Sequence, residues 1–409
     1  MAAVEATEQE KPAPPKDSPV DDVEDTKRKA ILDQLGERIE AIYDTKIQET
    51  LQLKAEYEDL AYSVIHKIIR KAKTVDARFR PNSLVSLGMP YSGIQDSGIE
   101  FEMMLQLCMG TNNSLYLHHE RGGKSARIQP VSTSLWQDCM DENSVYISPK
   151  RVTRVLRQYV KRAVYVLRKY IDMKKFQKLP EGLTEIYMED ERFKIVLRIN
   201  QNLRVTLLPA VSIPDSRSDM SRKDIPSTSH VVAIQLPEKS AIPFVVDENN
   251  NLPSPIPKMK RKGRHIKLVW QYSFFVAEKN KLRTISDGCR IKLLRLLTEV
   301  RESESALAKI TPYHLQTIFF HETDRLHRRR DWKESKMAAR FLDLLRALAL
   351  TLDKGSCENY FMGAPDYPSD NLYEEIGLKE LQVMKKHVES LIENPIDCLE
   401  RLYTHLTQH

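Results

Sequence analysis

From Thr26 to about Val75 the chain has no proline and a single glycine, Gly36. Ile31, Leu35, Ile39 and Ile42 recur at three- and four-residue spacing, and Tyr57, Leu60, Ala61, Val64, Ile65, Ile68 and Ile69 carry the stripe onward. Apolar residues at that period occupy one face of a helix. The stretch is therefore predicted to be one long amphipathic helix, or two with a break near Asp44, on the order of 70 Å if continuous. An element of that length is a spine. The residues before it, 1–25, are rich in Ala, Pro and acid and nearly empty of large apolar groups, the composition of a disordered tail.

After the spine the period changes. SLVSLGM and IEFEMMLQL are predicted strands, joined by a turn-rich link with Pro90, Gly93 and Gly98. In the second, Ile99, Phe101, Met103 and Leu105 point to one side of the pleat and Glu100 and Glu102 to the other. Paired carboxylates beside a glycine turn suit a divalent cation and a triphosphate, because Mg2+ takes carboxylate oxygens together with substrate phosphates. The same alternation describes an ordinary exposed sheet face. Shorter strands follow in SLYLHHE and SARIQPV, then in TEIYMED, FKIVLRIN, LRVTLLPAV and VVAIQL. Between these two groups lies SPKRVTRVLRQYVKRAVYVLRKYID, a helix with Ser148 as N-cap and Pro149 at its first position. Strands, a helix and strands again suggest a mixed sheet backed by helices. From Lys267 to the end, after KLVWQYSFFVAEKNKL, the pattern is helical, which predicts a separate helical lobe.

Charge adds two candidate polyanion contacts. Lys150, Arg154, Arg157, Lys161 and Arg168 share the polar face of the helix after Ser148, and Lys258, Lys260, Arg261, Lys262 and Arg264 crowd one Pro-rich loop. Both patterns are also those of solvated surface, and the net charge of +6 is modest. His327 to Arg330 repeats the ambiguity in a linker. The five cysteines form no CxxC pair, so reduced and mostly buried thiols are expected rather than zinc ligands or disulfides. No apolar run is long enough to span a membrane and the N-terminus lacks a signal-peptide pattern, which predicts an intracellular protein, nuclear or cytoplasmic or both.

YSGI, IEFEMMLQL, LRVTLLPAV, WQYSFFVAE, GCRIKLLRLL, TPYHLQTIFFHETD with DW downstream, and CENYF occur in that order. Together they resemble the Mab-21 family, whose best-known enzymatic relative is cyclic GMP-AMP synthase, from about residue 30 to about 405. The resemblance implies an α+β fold: a bilobal nucleotidyltransferase fold with a long N-terminal spine helix, a mixed β-sheet and a C-terminal helical lobe. It divides the chain into the tail, a nucleotidyltransferase-like lobe at 26–265 and a helical lobe at 266–409. Active relatives hold the triphosphate at a Gly-Ser turn and two Mg2+ ions on three acids, two on one strand and one on its neighbour. Glu100 and Glu102 match the first pair, and Gly88 matches the turn. Met89 stands where active members carry Ser, and Thr206 stands at the third acid. Tyr313 matches an aromatic position that stacks on a base, and Lys292 or Arg295 would meet phosphates. No insertion of His and Cys for zinc is present.

The resemblance thus implies first a degenerate nucleotidyltransferase-fold protein in a developmental or signalling role, acting by binding nucleotide, protein or nucleic acid. The alternative is an active receptor that makes a cyclic dinucleotide from ATP and GTP on binding a polyanion such as double-stranded RNA. That reading needs Mg2+ or Mn2+ with a nucleoside triphosphate. A third is a self-assembling scaffold, a homo-oligomer with a vestigial cleft.

Overall fold

The computed structural model describes residues 19–88, 99–108, 115–119, 125–131, 135–191, 194–212, 230–237, 266–361 and 371–408. The long apolar period forms one rod. α1 (Pro19–Ile42) passes through a π-helical turn, Tyr43–Ile47, into α2 (Gln48–Lys73). Both flanks of the turn keep right-handed helical angles, with Ile42 at φ −65°, ψ −43° and Gln48 at φ −64°, ψ −43°, so the rod widens near Asp44 without breaking. Within it Thr45 Oγ1 donates to the Ala41 carbonyl at 2.7 Å, a back-bond that bends helices. α1 starts at Pro19, so the tail boundary expected at residue 25 falls inside a helix; residues 1–18 lie outside the described chain.

The rod serves two cores. Leu35, Ile39, Ile42, Tyr43 and Ile47 are buried among the C-terminal helices, whereas Ala61, Val64, Ile65, Ile68, Ile69 and Ala72 are buried against the sheet. Each fully buried Ile or Val contributes about 1.5–3 kcal/mol relative to exposure, before the entropy of ordering it.

Among the described residues the sheet has nine strands. β1 (Phe79–Gly88) pairs antiparallel with β2 (Ile99–Leu107), and β2 runs parallel to β7 (Leu203–Ser212). β7 is long enough to carry two neighbours on its far side. Its first half pairs with β6 (Ile195–Ile199), itself paired with β5 (Ile186–Met188), and its last residues pair with β8 (His230–Pro237). β9 (Ile266–Ser273) then joins β8 to β4 (Ser125–Pro130), and β3 (Leu115–His119) closes the edge. β9 begins at the expected lobe boundary, and its Trp270 and Tyr272 alternate into the sheet core.

α3 (Pro149–Asp172) begins as its cap residues dictate, with Ser148 Oγ accepting from Arg151 N at 3.4 Å. Its stripe Val152, Leu156, Val160, Ala163, Val164 and Leu167 packs beside α2 in the same core. At the entry to β1, Arg78 is held by Asp76 at 2.7 Å and Asp138 at 2.5 Å, with its guanidinium 4.7 Å from the Trp136 ring centroid.

The helical lobe consists of α4 (Phe275–Thr284), α5 (Arg290–Ser303), α6 (Pro312–Arg325), α7 (Met337–Lys354), α8 (Leu378–Glu393) and α9 (Pro395–Gln408). Gly288, at φ +61°, lets the backbone come so close to Trp332 that a Cβ there would sit 2.1 Å from the Trp332 carbonyl oxygen, so no other residue fits. Four of the five cysteines are buried and all are free. Phe361 touches both cores, stacking on Phe274 at 5.5 Å and meeting Phe320 edge-on at 6.1 Å. Beside it Lys281 donates to Asp324 (2.8 Å) and Tyr360 Oη (2.6 Å), which fastens α4 to α6.

Candidate functional site

Strand register assembles the site. Gly88 of β1 stands opposite Glu102 of β2, Glu102 opposite Thr206 of β7, and Thr206 opposite Val196 of β6. The adjacent row runs Glu100, Arg204, Arg198. Alternation puts Glu100, Glu102, Arg204 and Thr206 on one face, while Ile99, Phe101, Met103, Leu203 and Val205 enter the core on the other. The two expected carboxylates and the expected third position are therefore neighbours, and the third position is a neutral hydroxyl. Met89 lies outside the described residues, as do Lys258, Lys260, Arg261 and Lys262.

One residue here had not been expected. The Arg204 guanidinium binds Glu100 at 2.7 Å, Glu189 at 3.0 Å and Glu191 at 2.6 Å. Arg198 supports it by pairing with Glu189 at 3.1 Å. Partial burial alone would lower the pKa of Arg204, but its bonds to Glu100 and Glu189 outweigh that and raise it. Its charge is permanent. Glu102 is raised above the ordinary carboxylate range by burial; Lys194 opposes the shift and Glu100 adds to it. A pair of divalent ions needs several anionic oxygens free to turn toward it. Glu100 is instead bonded to a cation, Thr206 carries no charge, and the burial of Glu102 favours its neutral form. Among the described residues no group of three His, Cys, Asp or Glu side chains is arranged to hold a metal. The donor set does not fit a two-metal centre.

The remaining expected residues lie elsewhere. Lys292 sits 3.6 Å from Glu334 and 5.5 Å above the Tyr43 ring, and Arg295 donates to Tyr43 Oη at 2.7 Å. Both brace the π turn of the spine. Tyr313 is half-buried on α6 and hydrogen-bonds Glu278 of α4, which also accepts from Gln316 Nε2 at 3.0 Å. Burial pushes Glu278 up to about 7, against the hydrogen bonds from Gln316 and Tyr313. On α3, Arg154, Lys161 and Arg168 are exposed. Arg157 departs from the expected phosphate face: it binds the Lys194 carbonyl at 3.0 Å and Asp190 at 3.0 Å, tying α3 to the β5–β6 connection.

A spine helix, a mixed sheet with paired acids on adjacent rows, and a helical lobe joined through α4 define a nucleotidyltransferase-like protein. Residues 96–284 match the Mab-21 protein nucleotidyltransferase domain and residues 289–390 the Mab-21 protein HhH/H2TH-like domain. The chain belongs to the Mab-21 family. Among similar proteins, "Mitochondrial dynamics protein MID49" of Xenopus laevis is 27% identical over 136 residues, 32% of this chain and 28% of that protein. "Protein mab-21-like 3" of Danio rerio is 29% identical over 131 residues, 31% of this chain and 32% of that protein. "Protein mab-21-like" of Drosophila melanogaster is 31% identical over 100 residues, 24% of this chain and 26% of that protein. The chain thus spans a third or less of each of these relatives.

Proposed function

We propose that this protein is a degenerate nucleotidyltransferase that acts by binding a nucleotide, a protein or a nucleic acid rather than by turnover. The observation that carries the proposal is the Arg204 guanidinium on Glu100, with neutral Thr206 beside Glu102. An internal cation already neutralises Glu100, and burial favours the neutral form of Glu102, so Mg2+ and Mn2+ are dispensable to the protein's role. The proposal includes a developmental or signalling setting, in nucleus or cytoplasm, by analogy with the Mab-21 family; one similar protein is named for mitochondrial dynamics.

Thermal unfolding with ATP, GTP, CTP and UTP, each with and without Mg2+, tests it together with a search for product. A ligand of the folded state at a hundredfold excess over its Kd stabilises by about 2.7 kcal/mol. Any shift is expected to be indifferent to Mg2+, and no triphosphate is expected to be consumed. Metal-dependent consumption that disappears in Glu102→Ala would overturn the proposal.

The second reading, a cyclic-dinucleotide synthase triggered by a polyanion such as double-stranded RNA, draws on the exposed Arg154, Lys161 and Arg168 of α3. It requires Arg204 to release Glu100 when the polyanion docks. Salt-dependent RNA binding accompanied by product would favour it; RNA binding without product would leave a binding protein.

A further inference from the structure

α2 turns its apolar side toward the sheet core, on the face that carries Phe101, Met103 and Leu105, the face opposite Glu100 and Glu102. Its outer side bears two parallel rows. Tyr62, His66 and Arg70 follow at four-residue spacing, and Ser63, Lys67, Lys71 and Thr74 lie alongside. With Pro180, from the segment after α3, these residues line a pocket of about 610 Å3.

The two ends of the pocket differ in chemistry. At one, the Tyr62 and His66 rings stack with centroids 5.9 Å apart and planes at 21°, and Tyr62 is left 40% exposed. At the other stand Lys67, Arg70 and Lys71; among the described residues they form no ion pair and no carboxylate lines the pocket. From Tyr62 to Arg70 is eight residues of helix, about 12 Å at 1.5 Å per residue. That is the reach from an aromatic base to a terminal phosphate.

Cations in a last helical turn complement the helix dipole, which gives Arg70 and Lys71 a structural reason to be there. It gives none for Lys67, further back, or for a stacked ring pair on an outer surface. Nor do free carbonyls at the helix end repel an anion. Lys71 O accepts from Thr74 N and Thr74 Oγ1, and Ala72 O accepts from Val75 N and Asp76 N.

We propose that this pocket is a second binding site, independent of metal, for a ring-bearing polyanion of the nucleoside polyphosphate class. The base lies on Tyr62 and His66, and the phosphates meet Lys67, Arg70 and Lys71, with the planar guanidinium of Arg70 able to grip two oxygens at once. The site is separated from the Glu100 and Arg204 cluster by the thickness of the sheet and of α2. It stands whether or not the sheet cluster binds anything.

Calorimetric titration of the full chain in EDTA tests it, with ATP, adenosine and pyrophosphate as probes. ATP is expected to bind more tightly than either fragment. The double variant Lys67→Glu/Arg70→Glu should weaken ATP at least tenfold and Tyr62→Ala at least threefold, with Lys379→Glu, at an exposed cation of α8 outside both sites, leaving the affinity as it was. All these variants are checked for folding by thermal unfolding. Pyrophosphate binding as tightly as ATP would reduce the pocket to a basic patch and overturn the proposal. So would undetectable ATP binding at millimolar concentration, or binding indifferent to the Lys67/Arg70 pair. Binding lost instead in Tyr313→Ala or Arg204→Met would overturn this site while leaving the proposed function intact.

Discussion

Glu100 on β2 and Glu278 on α4 are both carboxylates withdrawn from water, the first partly and the second almost wholly, and the protein treats them in opposite ways. Glu100 is met by a full charge, in a network where Arg204 also holds Glu189 and Glu191. Glu278 is met only by the neutral donors Gln316 and Tyr313, and burial lifts it to about 7. A charge-paired carboxylate is fixed in its ionised form and gives up its freedom to bind another cation. A neutrally partnered one keeps the freedom to take up a proton. The sheet lobe has thereby become electrostatically closed, while the α4–α6 junction stays responsive near neutral pH.

The strongest way to sharpen this contrast is a third ionic cluster with no connection to the cleft. Arg78→Met strands Asp76, whose side chain is 9% exposed, and should cost about 3–4 kcal/mol in denaturant unfolding with nucleotide affinity unchanged. Arg204→Met should cost about 2 kcal/mol, less because roughly a fifth of Arg204 and of Glu100 still meets water. If this variant also gains Mg2+-dependent binding of a triphosphate, the closure of the sheet cluster is due to Arg204 itself. A cost below the error of the measurement would instead mean that the network is ornamental and the comparison breaks.

Glu278→Gln should do the reverse of Arg204→Met. The folded pKa of Glu278 lies above its ordinary 4.5, so its ionisation opposes folding, and native stability falls as pH rises from about 4.5 through about 7. The amide removes that loss: a gain of about 3 kcal/mol at pH 8 and none at pH 4, read from unfolding at both. Asp76 and Asp138 have the opposite sign. For Asp76 burial works against ionisation, but the bonds from Arg78 prevail, and for Asp138 the Arg78 bond leads; both end below 3.8. Their contribution is present above the ordinary carboxylate range and is lost as pH falls below it. The smallest effect is local: Ser148→Ala removes the N-cap of α3 and should cost about 1 kcal/mol.

Much of this was legible in the chain because it depends on near neighbours. The start of α3 follows from Ser148-Pro149, the spine from its period, and the shared face of Glu100 and Glu102 from strict alternation. The row from Glu102 to Thr206 was readable through the family resemblance, and the strand register bears out that neighbourhood. Arg204 shares a pleat face with Thr206, but no spacing in the chain marks it as a partner of Glu100. Its partner Glu189 falls in the run TEIYMED and Glu191 just after it, and only the β5–β6–β7 register brings them to it. The contacts of Lys292 and Arg295 were illegible for a related reason. Helical spacing says which residues share a face of α5, but which neighbour that face meets is settled by the packing of the spine, where Tyr43 receives both.

The π turn in that spine amounts to an adjustment of phase. Ile42 and Ile47 are both 1% exposed, yet five residues in an α-helix would set them about 140° apart. The wider turn absorbs one surplus residue, so that two stripes written out of step arrive on the same bearing. The rod should therefore be asymmetric toward changes of length. Loss of one exposed residue, Asp44 or Thr45, leaves the two lobes in alignment on a plain helix, whereas one residue more twists either lobe away from the other.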